Sequence, residues 1–367
     1  MATPAGRRVV KSRGRVRSAL ALYCANNVRE DCDSVAWPNY HFTTSLSHSV
    51  GRLYKNYDGL LDSFAAFWGL VAATFTGRDK LLGYELMNEP WCGDIFEDPT
   101  LLFPGIADRQ YLEPMYDILA AEIRKHDEDT IIHFEAVTWE VTGIGEAIGF
   151  THPPGGFEYA NRSILSFHHS VQEQIASNEE FFDFKWKEIQ RLGLAGFITE
   201  INTCCLDLAD DLVTWAYSWH HWAFKAYGKW TWDSTYYFDL GEDINNYDCP
   251  DIFSCLRMDR ARTYARTYPA AIAGTGKYFT FNDETSEALL VYQPDPSISQ
   301  PTELRVATQW RYPAGVQIDV IPAGLASWRF ASVEDGLAVE VANSTVLISL
   351  TSVWAGEELS VTVANKV

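Results

Sequence analysis

The chain has 367 residues, of which 47% are hydrophobic and 14% aromatic, and its formal net charge is −20. The length is sufficient for two domains, and the hydrophobic fraction argues against extended disorder. The negative charge argues against nucleic acid or an anionic membrane as partner, because both attract basic surfaces.

The amino terminus is basic. Residues 1–17 carry six Lys or Arg, and the apolar run that follows, at residues 19–23, is shorter than the roughly 7–15 residues of a signal-peptide core. We therefore predict no signal peptide and leave residues 1–35 unassigned. No run approaches the roughly 18 apolar residues of a membrane span, so no transmembrane segment is expected.

Apolar residues then recur every three or four positions over residues 58–75, which predicts a helix. Its predicted inward face consists of Leu60, Phe64, Phe67, Val71 and Phe75. The run LGYELMNEPW at residues 82–91 follows, and it predicts a buried strand that ends at Asn88, Glu89 and Pro90. Such a strand delivers one carboxylate to the rim of a sheet, where an α/β barrel keeps its catalytic groups.

Further helices and strands alternate beyond this point, which indicates a parallel sheet. The predicted helices are residues 108–125, 172–192 (ending at Gly193 in a left-handed conformation) and 206–212, and the predicted strands are residues 130–135, 164–169, 196–200 and 216–222.

The strand GFITE at residues 196–200 supplies a second carboxylate, Glu200. Hydrolysis of a glycosidic bond needs two carboxyl groups: one protonates the leaving oxygen, and the other attacks the anomeric carbon or activates water. Alone, Glu200 is equally well interpreted as a strand-end cap or an ion-pair partner. Its pairing with Glu89 favours catalysis.

After residue 268 the pattern changes to short runs with β-branched residues or alternating polarity, which predict an antiparallel β-sandwich of roughly 100 residues. The predicted strands are residues 278–281, 288–292, 303–308, 316–321, 337–341, 346–350 and 359–363. We therefore predict domains at residues 36–267 and 268–367.

The seven cysteines lack the spacing of a zinc site, so neither a structural metal nor a cofactor is predicted. Cys249 and Cys255 bracket a short loop, and a disulfide or two ordinary thiols fit it equally. Sequons begin at Asn161 and Asn343, which favours secretion.

The chain resembles the endoglycoceramidases of glycoside hydrolase family 5 from about residue 35 to its end. The resemblance rests on LLDSFA at 60–65, LGYELMNEPW at 82–91, FEAVTW at 134–139, GFITE at 196–200 and YPAAIAG at 268–274. It implies a (β/α)8 TIM-barrel followed by the sandwich, and cleavage of the bond between glycan and ceramide in glycosphingolipids. It also implies a location outside the cytosol and contact with lipid surfaces.

The resemblance further implies a retaining mechanism, with Glu89 as acid/base and Glu200 as nucleophile. Asn88 corresponds to a residue that hydrogen-bonds the sugar 2-hydroxyl, although an Asn here also suits a turn. His168 is expected to contact the sugar or tune the carboxylates, unless it is structural.

Two tryptophans complete the predicted substrate site. Trp222, with Trp219 as the alternative, resembles the sugar platform of the last strand, unless it belongs to the barrel core. Trp139 is a candidate for the rim. Ser170 departs from the family, because a tyrosine is expected there.

The amino-terminal part departs further. The strand ending at Glu89 is the fourth of the family's barrel, and three strands with two helices need on the order of 100 residues before the helix at residue 58. Residues 1–57 are too few, so the barrel is predicted to be incomplete, either through an altered gene model or as a degraded barrel. Two alternatives stay open: hydrolysis of soluble β-glucans, and an inactive relative that binds glycolipid.

Overall fold

The structure is a computed structural model, which describes residues 40–138, 148–169, 178–201, 218–221, 225–227, 236–238, 258–335, 337, 343–351 and 356–366. The chain divides into two compact units, Met1–Ser163 and Ile164–Val367, and each is described by itself. The predicted segment 1–35 and the predicted helix 206–212 lie outside the described residues, as does most of the predicted strand 337–341. The predicted domain bounds stay predictions.

The described residues of the first unit include three α-helices: α1 (Thr44–Tyr54), α2 (Leu60–Phe75) and α3 (Glu113–Arg124). Asn56 stabilises the first turn of α2, because its side-chain oxygen accepts the N–H groups of Leu61 and Asp62 at 3.0 and 3.2 Å. The predicted helix at residues 108–125 is confirmed for its second part only, since its first turn is a π-helix, Asp108–Leu112.

The predicted inward face of α2 is wrong. Phe67 is 54% exposed and Phe75 is 48% exposed, whereas Leu61 and Ala72 are buried. The reason lies in Gly69, where a Cβ atom would stand 3.0 Å from the side chain of Glu122 in α3. The absence of a side chain at Gly69 allows the two helices to approach closely. Because α2 is apolar on several sides, the spacing of its apolar residues fits more than one buried face.

Two parallel strands follow in the same unit: β1 (Tyr84–Glu85) and β2 (Ile132–Glu135). A Cβ atom at Gly83 would lie 2.5 Å from the ring of His133, so only glycine permits this approach. The predicted strand exists, but its predicted end is wrong. The pairing stops once Leu86 has donated its N–H to the carbonyl of His133 at 3.0 Å, and the chain then leaves as a loop.

The second unit begins with strands and a helix that alternate as predicted. The members are β3 (Ser163–His169), α4 (Asn178–Leu192), β4 (Ala195–Ile201) and β5 (Ser218–His221). The strands β3, β4 and β5 pair in parallel, and the short strands β6 (Lys225–Tyr227) and β7 (Tyr236–Phe238) form a parallel pair of their own. Gly193 ends α4 with φ +68°, which confirms the predicted left-handed helix end.

In the rest of the second unit, the residues that the structure describes form two four-stranded antiparallel sheets. The elements are α5 (Met258–Tyr264), β8 (Tyr268–Ala271), β9 (Gly274–Phe281), β10 (Ala288–Pro294), β11 (Thr302–Arg305), α6 (Thr308–Arg311), β12 (Val316–Ile321), β13 (Ala326–Phe330), β14 (Thr345–Leu350) and β15 (Leu359–Asn365). The strand orders are β12-β15-β10-β9 and β13-β14-β11-β8. Side chains of both sheets, including Phe281, Leu290, Leu304 and Ile348, form one hydrophobic core.

The strands β8 and β13 were not among the predicted ones, because their side chains are mostly exposed and show no alternation of burial. Arg311 of α6 is a charged residue buried inside this region, with 2% exposure. Its guanidinium donates to the carbonyls of Arg262, Ala265 and Asp283 at 2.6–2.9 Å. No helix in the described part of the chain is long and apolar enough to cross a membrane.

Candidate active site

The loop after β1 holds the first predicted catalytic group. Asn88 is exposed and Glu89 is half-buried, and both lie beyond the last paired residue of the strand. Glu89 has φ +41°, in the left-handed region that residues with a side chain rarely adopt. A residue in this conformation cannot continue a strand, so no strand can run through Glu89 as predicted.

Glu135, at the carboxyl end of β2, holds this loop. It is 2% exposed. One carboxylate oxygen accepts the backbone N–H of Glu89 at 2.8 Å, and the other accepts the hydroxyl of Thr138 at 3.1 Å. No role for Glu135 is predicted from the sequence, although it is a strand-end carboxylate of the same kind as those that indicate Glu89 and Glu200.

The loop is also held on its far side. Thr138 donates its N–H to the carbonyl of Pro90 at 3.2 Å, and Tyr54 donates its hydroxyl to the carbonyl of Trp91 at 2.5 Å. The buried indole of Trp91 donates to the hydroxyl of Ser47 at 3.0 Å. Main chain and side chains are therefore fixed on both sides of the catalytic candidate.

Two phenols serve this scaffold as donors. Burial raises the pKa of Tyr54 well above its usual value, and Cys92 and Asp108 raise it further. Burial likewise raises the pKa of Tyr116, whose hydroxyl donates to the main-chain carbonyl of Glu135 at 2.8 Å. Both phenols stay protonated through the neutral range and keep donating.

Asp108 binds the main chain at two further positions of the first unit. It is fully buried, and its two carboxylate oxygens each accept a main-chain N–H at 2.9 Å, from Val137 and from Gly149. These residues flank the segment that contains Trp139. Trp139 itself lies outside the described residues, so its predicted place at the rim stays a prediction.

The second unit holds the other predicted catalytic group. Glu200 lies on β4 and pairs in register with His168 on β3. The Nδ1 atom of His168 stands 3.6 Å from a carboxylate oxygen of Glu200, and the side chains are 3% and 24% exposed. At this distance the pair is an electrostatic contact and exceeds the length of a hydrogen bond. A buried imidazole thus supports the more open carboxylate.

The platform candidates are only partly described. Trp222 lies outside the described residues, as does Ser170. Trp219, the alternative, is half-buried and packs on Tyr264 of α5, with ring centroids 5.6 Å apart. This contact gives Trp219 a structural role within the unit. Cys249 and Cys255 also lie outside the described residues.

Parallel strands that alternate with helices and end in carboxylates define the α/β-barrel class of protein. The model of the family "Cellulase (glycosyl hydrolase family 5)" matches residues 34–237, and that of "Glycoside hydrolase family 5 C-terminal domain" matches residues 266–363. The chain belongs to glycoside hydrolase family 5.

Curated relatives are similar over most of the chain. The endoglycoceramidase of Hydra vulgaris is 35% identical over 301 residues, which cover 80% of this chain and 55% of the relative. The endoglycoceramidase of Cyanea nozakii is 33% identical, over 82% of this chain and 59% of the relative. The chain thus spans a little more than half the length of these relatives.

Solved structures of endo-glycoceramidase II from Rhodococcus sp. share the fold. Its complex with a cellobiose-like imidazole has a TM-score of 0.65 and 17% identity, over 90% of this chain and 71% of that one. Its ganglioside GM3 complex has a TM-score of 0.64 and 17% identity, over 90% and 70%. The predicted fold, a TIM-barrel type followed by a domain of antiparallel sheets, is confirmed.

Proposed function

We propose that this protein is a retaining glycoside hydrolase that cleaves the β-linkage between glycan and ceramide in glycosphingolipids. The observation that carries the proposal is the pair of carboxylates at the ends of parallel strands in a family 5 chain, Glu89 beyond β1 and Glu200 on β4. Support also comes from the curated endoglycoceramidases and from the ganglioside GM3 bound to the Rhodococcus enzyme.

In the first step, the carboxylate of Glu200 attacks the anomeric carbon while the carboxyl group of Glu89 gives its proton to the departing ceramide oxygen. Ceramide leaves, and an ester joins the glycan to Glu200. In the second step, Glu89, now ionised, takes a proton from water, which displaces Glu200 from the anomeric carbon. The mechanism requires the two carboxyl groups to stand about 5–5.5 Å apart.

The remaining site residues have supporting roles in the proposal. Asn88 is exposed next to Glu89, as a donor to the sugar 2-hydroxyl must be. His168 orients Glu200 from the neighbouring strand, and Trp222 and Trp139 offer aromatic faces to the sugar.

We also propose that the protein acts outside the cytosol at lipid surfaces. Asn161 and Asn343, the first residues of the two sequons, are exposed, as glycan attachment requires. Expression in a secreting eukaryotic cell tests this. Enzymatic removal of N-glycans should lower the apparent mass, and Asn161→Gln with Asn343→Gln should abolish the shift.

Two other functions are outcomes of the same experiment. The family description names cellulases, which favours soluble β-glucans as a second substrate class. An inactive glycolipid binder is the other outcome.

The test incubates the purified protein separately with GM3 ganglioside, glucosylceramide and a cello-oligosaccharide, and follows the released products by mass spectrometry. We expect intact glycan and ceramide from a glycosphingolipid, with release abolished by Glu200→Gln and by Glu89→Gln. Glu284→Gln, which removes the same charge from an exposed site, is the matched control. Cleavage of the cello-oligosaccharide alone selects the second function, and glycolipid binding without turnover selects the third.

A further inference from the structure

Glu135 is a buried carboxylate that the proposed reaction does not use. It ends β2, is 2% exposed, and directs both carboxylate oxygens to neighbouring donors. One donor is the main-chain N–H of Glu89 at 2.8 Å, and the other is the hydroxyl of Thr138 at 3.1 Å. The contact therefore reaches the backbone of the proposed acid/base and not its side chain.

The residue that receives this contact has an unusual backbone. Glu89 has φ +41°, and such a conformation persists in a residue with a side chain only where surrounding contacts hold it. A hydrogen bond from a main-chain N–H to a buried carboxylate is among the stronger kinds, because its acceptor is charged. The backbone conformation fixes the direction in which the Glu89 side chain leaves the loop.

The carboxylate of Glu135 differs from a glutamine amide at this position chiefly in the negative charge of its acceptor oxygens. Two donors meet two carboxylate oxygens, whereas an amide offers one acceptor oxygen and one N–H2 donor group. A glutamine at position 135 could accept the N–H of Glu89 and donate to the hydroxyl oxygen of Thr138, but its acceptor oxygen would carry no negative charge. Thr138 also donates its N–H to the carbonyl of Pro90 at 3.2 Å. Glu135 therefore holds the loop directly through the N–H of Glu89 and indirectly through Thr138.

We propose that Glu135 is a positioning residue for acid/base catalysis, which holds the backbone of Glu89 in its left-handed conformation and thereby directs the Glu89 carboxyl group at the leaving oxygen. The inference rests on the proposed function. Loss of Glu135 should impair protonation of the leaving group more than binding of the glycan. Its effect should therefore depend on how much the leaving group needs a proton.

The test compares two substrates of the enzyme. Ceramide is a poor leaving group and needs protonation, whereas dinitrophenolate leaves from a dinitrophenyl β-lactoside without it. We expect Glu135→Ala to lower kcat/KM on the glycosphingolipid on the order of 10²-fold, the loss typical of a misplaced catalytic group, and Glu135→Gln, which keeps a neutral acceptor, to lower it less. The loss on the dinitrophenyl glycoside should be much smaller.

Asp127→Asn is the matched control. Asp127 is a buried carboxylate of the same unit, 4% exposed, and accepts the main-chain N–H groups of Asp129 and Thr130 before β2 begins. Asp127→Asn should lower the thermal midpoint, as we also expect of the Glu135 variants. It should leave the ratio of the kcat/KM values on the two substrates as in the wild type. Equal losses on both substrates in the Glu135 variants would overturn the proposal, because they would indicate a structural role alone.

A readout independent of turnover separates this inference from the proposed function. The amide of Glu89 should exchange its hydrogen faster in Glu135→Ala than in the wild type, and Asp127→Asn should leave it protected. If the wild type shows no turnover but the amide of Glu89 exchanges faster in Glu135→Ala, the proposed function is wrong. The role of Glu135 in holding the backbone of Glu89 is then still supported. If neither exchange at Glu89 nor kcat/KM on the glycosphingolipid changes, the inference on Glu135 is overturned.

Discussion

His168 and Glu200 lie opposite each other because β4 carries one extra residue. The register runs from Phe167 with Ile198 directly to His168 with Glu200, and the pairing with β5 shifts over the same stretch. Thr199 is therefore a bulge residue. In an uninterrupted strand Glu200 would fall one position further on and its side chain would leave the opposite face of the sheet.

Insertion of one alanine between Thr199 and Glu200 should therefore remove the contact between His168 and Glu200, because it moves Glu200 one position further along β4 and turns its side chain to the opposite face of the sheet. We expect kcat/KM to fall on the order of 10²-fold or more, the cost typical of a misplaced catalytic group. Thr199→Ala, which keeps the residue count, should retain activity. Wild-type activity in the insertion variant, measured on the same glycosphingolipid, would contradict the role of this register.

The free energy of unfolding should depend on pH because of His152. Its Nδ1 atom lies 2.9 Å from the carbonyl of Pro153, a contact that raises the pKa of the imidazole, and Asp117 and Glu113 raise it further against the effect of burial. Because the pKa in the folded state exceeds the unfolded value of about 6.5, this stabilisation is complete below pH 6.5 and is lost as the pH rises through the folded-state pKa.

His152→Gln keeps a donor for the carbonyl of Pro153 but cannot become charged. The difference in free energy of unfolding between wild type and variant, measured by urea denaturation, should be larger near pH 6 than near pH 8.5. A difference that stays constant over this range would show that the charge of His152 contributes nothing.

The face of α2 can be tested by two substitutions. Leu61 is 4% exposed, so Leu61→Ala should cost about 2–5 kcal/mol of unfolding free energy through lost burial and the cavity left behind. Phe67 is 54% exposed, and Phe67→Ser should change stability by only about 0.5 kcal/mol. Urea denaturation measures both. A larger loss for Phe67→Ser would restore the face that periodicity predicts.

Substitution of Arg311 should lower the stability of the protein more than substitution of Arg329, another arginine of the second unit. Removal of Arg311 leaves the carbonyls of Arg262, Ala265 and Asp283 without their donor, so Arg311→Met should cost about 3 kcal/mol or more. Arg329→Met is the control, because the guanidinium of Arg329 is exposed and pairs with Asp335 at the surface. Equal thermal midpoints for the two variants would contradict this ranking.

Local patterns predicted the alternation of strands and helices and both strand-associated glutamates, because each apolar run ends in a single carboxylate. They misplaced the end of β1, since Leu86 and Met87 continue the apolar run. The turn that ends it is held by Glu135, which lies 46 residues further along the chain than Glu89. A contact between residues so distant in sequence has no local signal.

Two further features were hidden for different reasons. The bulge at Thr199 has no signature, because threonine suits a regular strand as well as a bulged one. The face of α2 was ambiguous because the helix is apolar on several sides, and close packing at Gly69 selects the side that is buried. In both cases the conformation or the buried face depends on packing against a neighbouring element. The local sequence of the segment contains no information about that packing.

The assignment of Glu89 and Glu200 is tested most directly by trapping the covalent intermediate. A 2-deoxy-2-fluoro-β-glycoside with an activated leaving group should form an ester with the nucleophile, because fluorine slows its hydrolysis. Peptide mass spectrometry should find the glycosyl group on Glu200, still present in Glu89→Gln and absent in Glu200→Gln. A wild-type protein that forms no adduct, or forms it on another residue, would contradict the account.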